Sequence, residues 1–267
     1  MGRMKPSFVE VEGLRLAYRR CGDGEPLVLL HGGFSDGREM RNQLEGLSDS
    51  YDVVAWDCLG SGESSDPPAG FGLRDYATVL AGGIAELGLE RPHVLGLSFG
   101  SMYALVLYRY FAQLPRTLIL ASAYAGWGGS LPPGEVQARV DSVVAALEVP
   151  PAEWGRDFLS TVYSAEVSDS VVDEAMGIMA GVRASGTREQ LRAFAFCDLR
   201  DVLPLIEVPT LLLYGELDQR SPLAVAEDLH VAITGSRLVV LPGVGHGANM
   251  EAPDAFNDAV RRFLADH

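Results

Sequence analysis

The chain has 267 residues, of which 48% are hydrophobic, and a formal net charge of −15 at pH 7. That composition fits a folded chain with a sizeable core and excludes a largely disordered one. No Lys/Arg cluster offsets the acidity locally, so a polyanion such as a nucleic acid is excluded as a partner.

The N-terminal stretch MGRMKPSFVEVEG has no apolar signal core, and no run approaches the length of a membrane span. The expectation is a cytoplasmic protein without a membrane partner. SFVEVEG and LRLAYRR alternate apolar and polar residues around Gly13, which predicts an antiparallel hairpin. PLVLLHG (26–32), DVVAWDC (52–58), HVLGLS (93–98) and TLILASA (117–123) are continuous apolar runs. TLLLYGE (210–216) and RLVVLPG (237–243) repeat the type. Such runs suit parallel strands buried on both faces. Helical patterns lie between most of them: LRDYATVLAGGIAELGL precedes HVLGLS, FGSMYALVLYRYFAQL follows it, and APDAFNDAVRRFLADH closes the chain. Strand–helix alternation predicts an α/β fold, a mostly parallel sheet with helices on both faces.

The alternation stops after Tyr124. AGWGGSLPPG marks a break, and only helical patterns follow until about Leu199. Val136, Val140, Val143, Val144 and Leu147 keep helical spacing, and Thr187 with Gln190 predicts a capping box for the last helix. The expected division is a core of residues 1–124 and 200–267 with an all-helical insertion, 125–199, over the C-terminal edge of the strands, where ligands bind in open α/β sheets. Three cysteines, Cys21, Cys58 and Cys197, lie far apart with no metal-ligand spacing, so reduced thiols and no metal are expected.

G-x-S-x-G is weak evidence alone. With 30 glycines in the chain, chance gives it about once in four such sequences. It occurs twice, around Ser35 and around Ser98. A nucleophile elbow needs a strand that ends at the serine and a helix that starts right after it. Gly96-Leu97-Ser98-Phe99-Gly100 meets both conditions, whereas the strand before Ser35 ends at His31-Gly32 and a loop intervenes. Serine needs a base. Of the five histidines, His93 starts a buried strand, His230 lies in a helical pattern, His267 is terminal and His31 precedes the first loop. His246, in GVGHGAN just past RLVVL, is expected exposed on the same sheet edge as Ser98. Asp218 follows TLLLYGE on that edge and could hold the imidazole. The order Ser98, Asp218, His246 is the one found in α/β-hydrolases.

At this point the sequence resembles the α/β-hydrolase fold family along nearly its whole length. HGG (31–33) is similar to the family's oxyanion loop, WDCLGSGES (56–64) to its D-x-x-G-x-G-x-S segment, and GLSFG, YGELD and GVGHGANMEAP to the segments carrying nucleophile, acid and base. The block 125–199 matches the position of the family's cap. The branch it most resembles is that of serine esterases, lactonases and cofactor-free haloperoxidases. The resemblance implies Ser98, Asp218 and His246 as catalytic residues and an oxyanion hole of backbone N–H groups from Phe99 and from Gly33, with Phe34 the second choice. It gives His31, Asp57 and Ser64 structural roles. It implies a small-molecule ester-like substrate and no cofactor. Two alternatives on the same fold are a slow-turnover ligand receptor or signalling protein, and an acyltransferase or perhydrolase. The helical block is rich in Trp127, Trp154, Phe158, Tyr163, Met176, Met179, Phe194 and Phe196. Its pocket face is therefore expected to be mainly apolar and to favour uncharged esters.

Overall fold

The computed structural model describes residues 5–267, so residues 1–4 of the N-terminal stretch lie outside the described residues. The apolar runs form one sheet of eight strands: β1 (Ser7–Val11), β2 (Leu14–Cys21), β3 (Glu25–Leu30), β4 (Tyr51–Trp56), β5 (His93–Leu97), β6 (Thr117–Ala121), β7 (Thr210–Gly215) and β8 (Arg237–Leu241). Their spatial order is β1-β2-β4-β3-β5-β6-β7-β8. The β1–β2 and β2–β4 pairs are antiparallel and the others parallel. The hairpin turns on Glu12 and Gly13, both at positive φ (51° and 79°).

The helices are α1 (Arg41–Leu47), α2 (Leu73–Glu86), α3 (Phe99–Tyr110), α4 (Trp127–Ser130), α5 (Pro133–Ala146), α6 (Pro151–Leu159), α7 (Asp169–Met179), α8 (Ala184–Phe194), α9 (Leu223–Ala232), α10 (Ala248–Glu251) and α11 (Pro253–Leu264). None of them is long and apolar enough to cross a membrane. Because successive strand residues point to opposite faces, the runs divide into two cores. Val28, Leu30, Val54, Val94, Leu118 and Leu212 pack with α2, α3 and α9. Leu27, Leu29, Val53, Leu95, Ile119 and Leu211 pack with α1 and α11. Each fully buried Leu or Val contributes roughly 1.5–3 kcal/mol relative to exposure. β8 departs from the expected two-sided burial. It is an edge strand, with only Leu241 of its five residues buried.

Helices α4 to α8 all fall between β6 and β7. α6, α7 and the segment between them form a third cluster, in which Leu159, Tyr163, Ala175, Ile178 and Met179 pack with Met250 of α10, whereas Trp127, Val136 and Phe194 of α4, α5 and α8 join the main core. One expectation for this stretch fails, and two of its apolar patterns are less buried than their spacing suggests. The valines of α5 do not form a core stripe: of its residues only Val136 is buried, and Val144 is 40% exposed. Phe196 is 61% exposed. The capping box is absent, because α8 begins at Ala184 and Thr187 lies inside it. Tertiary contacts set that start. The Arg183 guanidinium binds Asp66, the Ser64 carbonyl (2.7 Å) and the Gly62 carbonyl. Gln190, instead of capping, is buried and donates to Leu59 O at 2.8 Å and to Ser61 Oγ at 3.1 Å.

Gly186 of α8 lies directly on Gly60, and a Cβ there would stand 2.1 Å from the Gly60 carbonyl oxygen. Gly186→Ala should therefore cost roughly 1–3 kcal/mol, since neither backbone can yield without moving its segment. Gly177→Ala in α7 has nothing within 4 Å of the new methyl and should be neutral or stabilising by up to about 1 kcal/mol. Urea unfolding midpoints of the two variants check both.

Candidate active site

β5 ends at Leu97, α3 begins at Phe99, and Ser98 between them has φ 51° and ψ −111°. That positive φ in a residue with a Cβ is strained. The glycines on either side explain how the turn closes. A Cβ at Gly96 would lie 2.3 Å from Gly100 O, and one at Gly100 2.2 Å from Leu30 O. The turn is braced from below. Ser98 N–H donates to Ala121 O (2.8 Å), and buried Ser101 donates to Ser98 O through its N–H (3.0 Å) and its hydroxyl (2.5 Å).

Asp218 lies three residues past β7, and its Oδ1 accepts the N–H groups of Arg220 (2.9 Å) and Ser221 (2.8 Å). His246 lies five residues past β8, and its carbonyl accepts the Ser122 hydroxyl (2.9 Å). The three side chains meet. His246 Nδ1 is 2.9 Å from both Asp218 oxygens, and Nε2 is 2.7 Å from Ser98 Oγ. Burial pushes the Asp218 carboxyl up, but the charge and hydrogen bond of His246 and the Ser221 N–H outweigh it and hold it below the ordinary carboxylate value. An ionised Asp218 accepts from Nδ1–H, so Nε2 is free to accept the Ser98 hydroxyl proton. His246 is buried, not exposed as expected. Residues 162–164 cover it: Gly247 N–H donates to Val162 O (3.1 Å), and a Cβ at Gly247 would strike the Tyr163 ring at 2.4 Å.

The HGG loop arches over the same point. A Cβ built at Gly32 would be 3.8 Å from Ser98 Cβ, and one at Gly33 3.9 Å from Phe99 Cβ. Among the described residues, the backbone N–H groups of Gly33, Phe34 and Phe99 have no protein acceptor. His31 ties the loop down, donating to Gly32 O (2.7 Å) and accepting the Cys58 N–H (3.0 Å), and burial keeps it neutral. Asp57 binds Arg19 and the N–H groups of Gly37 and Glu63, while Ser64 donates to Asp57 O. Cys58 is buried, which pushes its thiol up and makes it a poor nucleophile. Ser35 also reaches the cavity wall, but no imidazole stands beside it.

Ser98 and His246 open into a cavity with about 980 Å³ of empty space, part of it open to solvent. Of the aromatic and methionine side chains expected there, Trp127, Phe158, Tyr163 and Met179 line it. Trp154 and Met176 pack behind it in the third cluster, and Phe194 belongs to the main core. Arg139, Arg156 and Arg183 are not in its wall; Arg220 and Glu39 are.

The profile of the alpha/beta hydrolase family matches residues 27–259 of the chain. The chain belongs to the alpha/beta hydrolase family. Among its relatives, mouse serine hydrolase BPHL is 29% identical over 96% of this chain and 85% of that protein. A hydrolase from Pseudomonas aeruginosa PA01 superposes with a TM-score of 0.87 at 28% identity, covering 98% of this chain and 99% of that one. An esterase from Exiguobacterium antarcticum gives 0.87 at 26% identity, covering 97% and 99%.

Two residues of this alpha/beta hydrolase's cavity carried no sequence pattern. Arg220 could have been found from its place two residues after Asp218. Glu39 had no such signal. It is half-buried below the HGG loop, where its Oε2 accepts the Gly32 N–H at 2.7 Å. Desolvation raises its carboxyl from 4.5 to about 7, against the hydrogen bonds from Gly32 and Ser35. The unfolded carboxyl ionises near 4.5 and the folded one near 7, so in that window unfolding releases a proton and stability falls as pH rises. Glu39→Gln should abolish that loss, on the order of 1–3 kcal/mol between pH 5 and 8. Thermal melts of both proteins across that range measure it.

Proposed function

We propose that this alpha/beta hydrolase cleaves a carboxylic ester or lactone through an acyl-enzyme on Ser98. The single observation that supports the reading best is the hydrogen-bonded line from Ser98 Oγ through His246 to Asp218, with spacings of 2.7 and 2.9 Å, at the floor of an apolar cavity. In this reading His246 Nε2 takes the hydroxyl proton as Ser98 attacks the carbonyl carbon. Asp218 holds the imidazole in the required tautomer and stabilises its charge. The oxyanion is stabilised by the N–H of Phe99, at the start of α3, and by that of Gly33, with Phe34 as the next donor. One such hydrogen bond is typically worth about 3 kcal/mol of transition-state stabilisation. His246 then returns the proton to the leaving oxygen, and water attacks the acyl-enzyme by the same relay. Helices α4 to α8 act in this reading as a cap whose apolar wall receives the body of the substrate. The names of an esterase and a serine hydrolase among the relatives agree with this chemistry.

Ser98→Ala should lower hydrolysis of p-nitrophenyl butyrate by at least about 10⁴-fold with little change in melting temperature. Ser35→Ala should lose less than about tenfold. The reverse pattern of rates would overturn the choice of nucleophile.

Met179 and Phe158 are flexible and rigid parts of the same cavity wall. Each methylene buried against them adds about 0.8 kcal/mol of binding, which raises kcat only where it persists in the transition state. Met179→Ala should therefore shift the preferred acyl length more than it changes kcat on acetate. The ratios of kcat/KM over acetate, butyrate, hexanoate and octanoate esters test this.

A further inference from the structure

Among the described residues, Arg220 is the one arginine lining the cavity that holds Ser98 and His246, and it also borders a neighbouring pocket with Thr161. Most of the described arginines have a carboxylate partner, including Arg139 and Arg183 nearby, which pair with Glu135 and Asp66. Arg220 has none among the described residues; its side chain makes one hydrogen bond, from Nη1 to Thr161 Oγ1 at 3.1 Å. Its other guanidinium N–H groups are unspent. The group is nevertheless held in place. Its carbon lies 4.6 Å over the Phe158 ring, the N–H of the residue is bound by Asp218, and its carbonyl accepts the Tyr124 hydroxyl (2.6 Å) and Arg139 Nη2 (2.7 Å). Burial and the neighbouring Arg139 charge lower its pKa against the attraction of Tyr124, Asp218 and Glu135. An arginine held still, partly buried and left without a counter-ion is a binding group for an anion.

We propose that Arg220 forms an anion subsite in the catalytic cavity, and that the substrate is an ester or lactone bearing a carboxylate at the end of an apolar arm. This rests on the ester reading above and replaces the expectation of an uncharged substrate. The spacing follows from the rings. Arg220 stacks on Phe158, and Phe158 meets Phe34 of the HGG loop edge-on at 5.2 Å. The anion is thus separated from the scissile carbonyl by the width of an apolar wall, which an arm of several carbons spans. Glu135, whose charge also reaches Arg220, is paired with Arg139. Asp218 is committed to His246 and two backbone N–H groups, and Glu39 is bound to Gly32 at the opposite, Ser98 end.

The test compares two matched pairs of esters. One pair is p-nitrophenyl hexanoate and the mono-p-nitrophenyl ester of hexanedioic acid, with the charge on the acyl arm. The other is phenyl hexanoate and 4-carboxyphenyl hexanoate, with the charge on the leaving arm. The quantity read is the charged-to-neutral ratio of kcat/KM in the wild type, Arg220→Met and Arg220→Lys, so that intrinsic ester reactivity cancels. The ratio for one pair should fall at least tenfold in Arg220→Met, mainly through KM, and recover in part in Arg220→Lys. A ratio unchanged within twofold in both pairs overturns the proposal. Binding provides a readout that needs no turnover: monomethyl hexanedioate should bind Ser98→Ala by calorimetry and lose at least tenfold in affinity when Arg220→Met is added. Equal affinity in the two proteins also overturns the proposal. If the wild type hydrolyses none of the four esters, it is the ester reading that fails, and calorimetry still decides the anion subsite.

Discussion

Ser98 holds φ 51° and ψ −111° in a chain segment that enters as a strand and leaves as a helix. Such a conformation costs on the order of 1–3 kcal/mol in a residue with a side chain, and the surrounding architecture exists around that cost. The strain persists because α3 cannot back away. Gly100 lies against the Leu30 and His31 carbonyls, and Gly96 lies against Gly100. With the helix held there, the serine hydroxyl has one place to go, upward from the C-terminal edge of the sheet. The same contact brings the HGG loop, which continues from Leu30, over the serine. Close glycine packing therefore fixes the distance between the hydroxyl and the loop N–H groups together.

Asp218 and His246 arrive by a separate route, and their alignment depends on β7 and β8. These strands are parallel neighbours, so the loops that follow them leave on the same side. The loops are bonded to each other before any side chain meets. Glu216 N–H donates to Leu241 O at 2.8 Å and Leu217 N–H to Val244 O at 2.9 Å. Gly215 lies close enough to Gly245 that a Cβ would stand 2.2 Å from its carbonyl oxygen. The third anchor comes from β6, whose successor Ser122 binds the His246 carbonyl and whose Ala123 carbonyl accepts the Ser221 and Tyr214 hydroxyls. The carboxylate is consequently held by backbone donors on a frame of adjacent strands, which leaves it little room to reorganise against the imidazole.

What could be read from the sequence was what local chemistry dictates. The hairpin at Gly13, the buried strands and the elbow at Ser98 follow from periodicity and from glycines at fixed offsets. The meeting of Ser98, Asp218 and His246 followed from placing each just past a strand on one edge. Errors arose where distant segments decide. Thr187 and Gln190 have the spacing of a cap, but Arg183 starts α8 earlier through bonds to residues 62, 64 and 66. His246 is buried by residues 162–164, far from it in sequence. The α5 valines satisfy a helical period, yet no element packs on most of them. Glu39 and Arg220 are ordinary charged residues in their local sequence, and only the cavity makes them unusual.

Besides the apolar clusters, the helical segment is attached to the sheet by ion pairs and by close glycine seams, and these differ in stiffness. Ion pairs such as Arg41 with Glu174, at 3.0 Å and both partly exposed, yield easily and contribute little. The seams at Gly60–Gly186 and at Gly245 against residues 162–164 are backbone on backbone, and Gly247 beside the second is packed on the Tyr163 ring. One seam lies beside the α8 wall of the cavity and the other beside His246. A segment hinged only at exposed ion pairs would vary the cavity's depth freely. One pinned at both seams keeps the apolar wall at a set height above Ser98. The remaining freedom lies in α5, half-exposed and carrying no buried residue beyond Val136. Opening of the cavity should then concentrate at α5 and the neighbouring side chains of Trp127 and Val143, leaving the distance from Ser98 to α7 and α8 fixed. The α7 and α8 wall is thereby the stiff side of the cavity, and the α5 side the soft one.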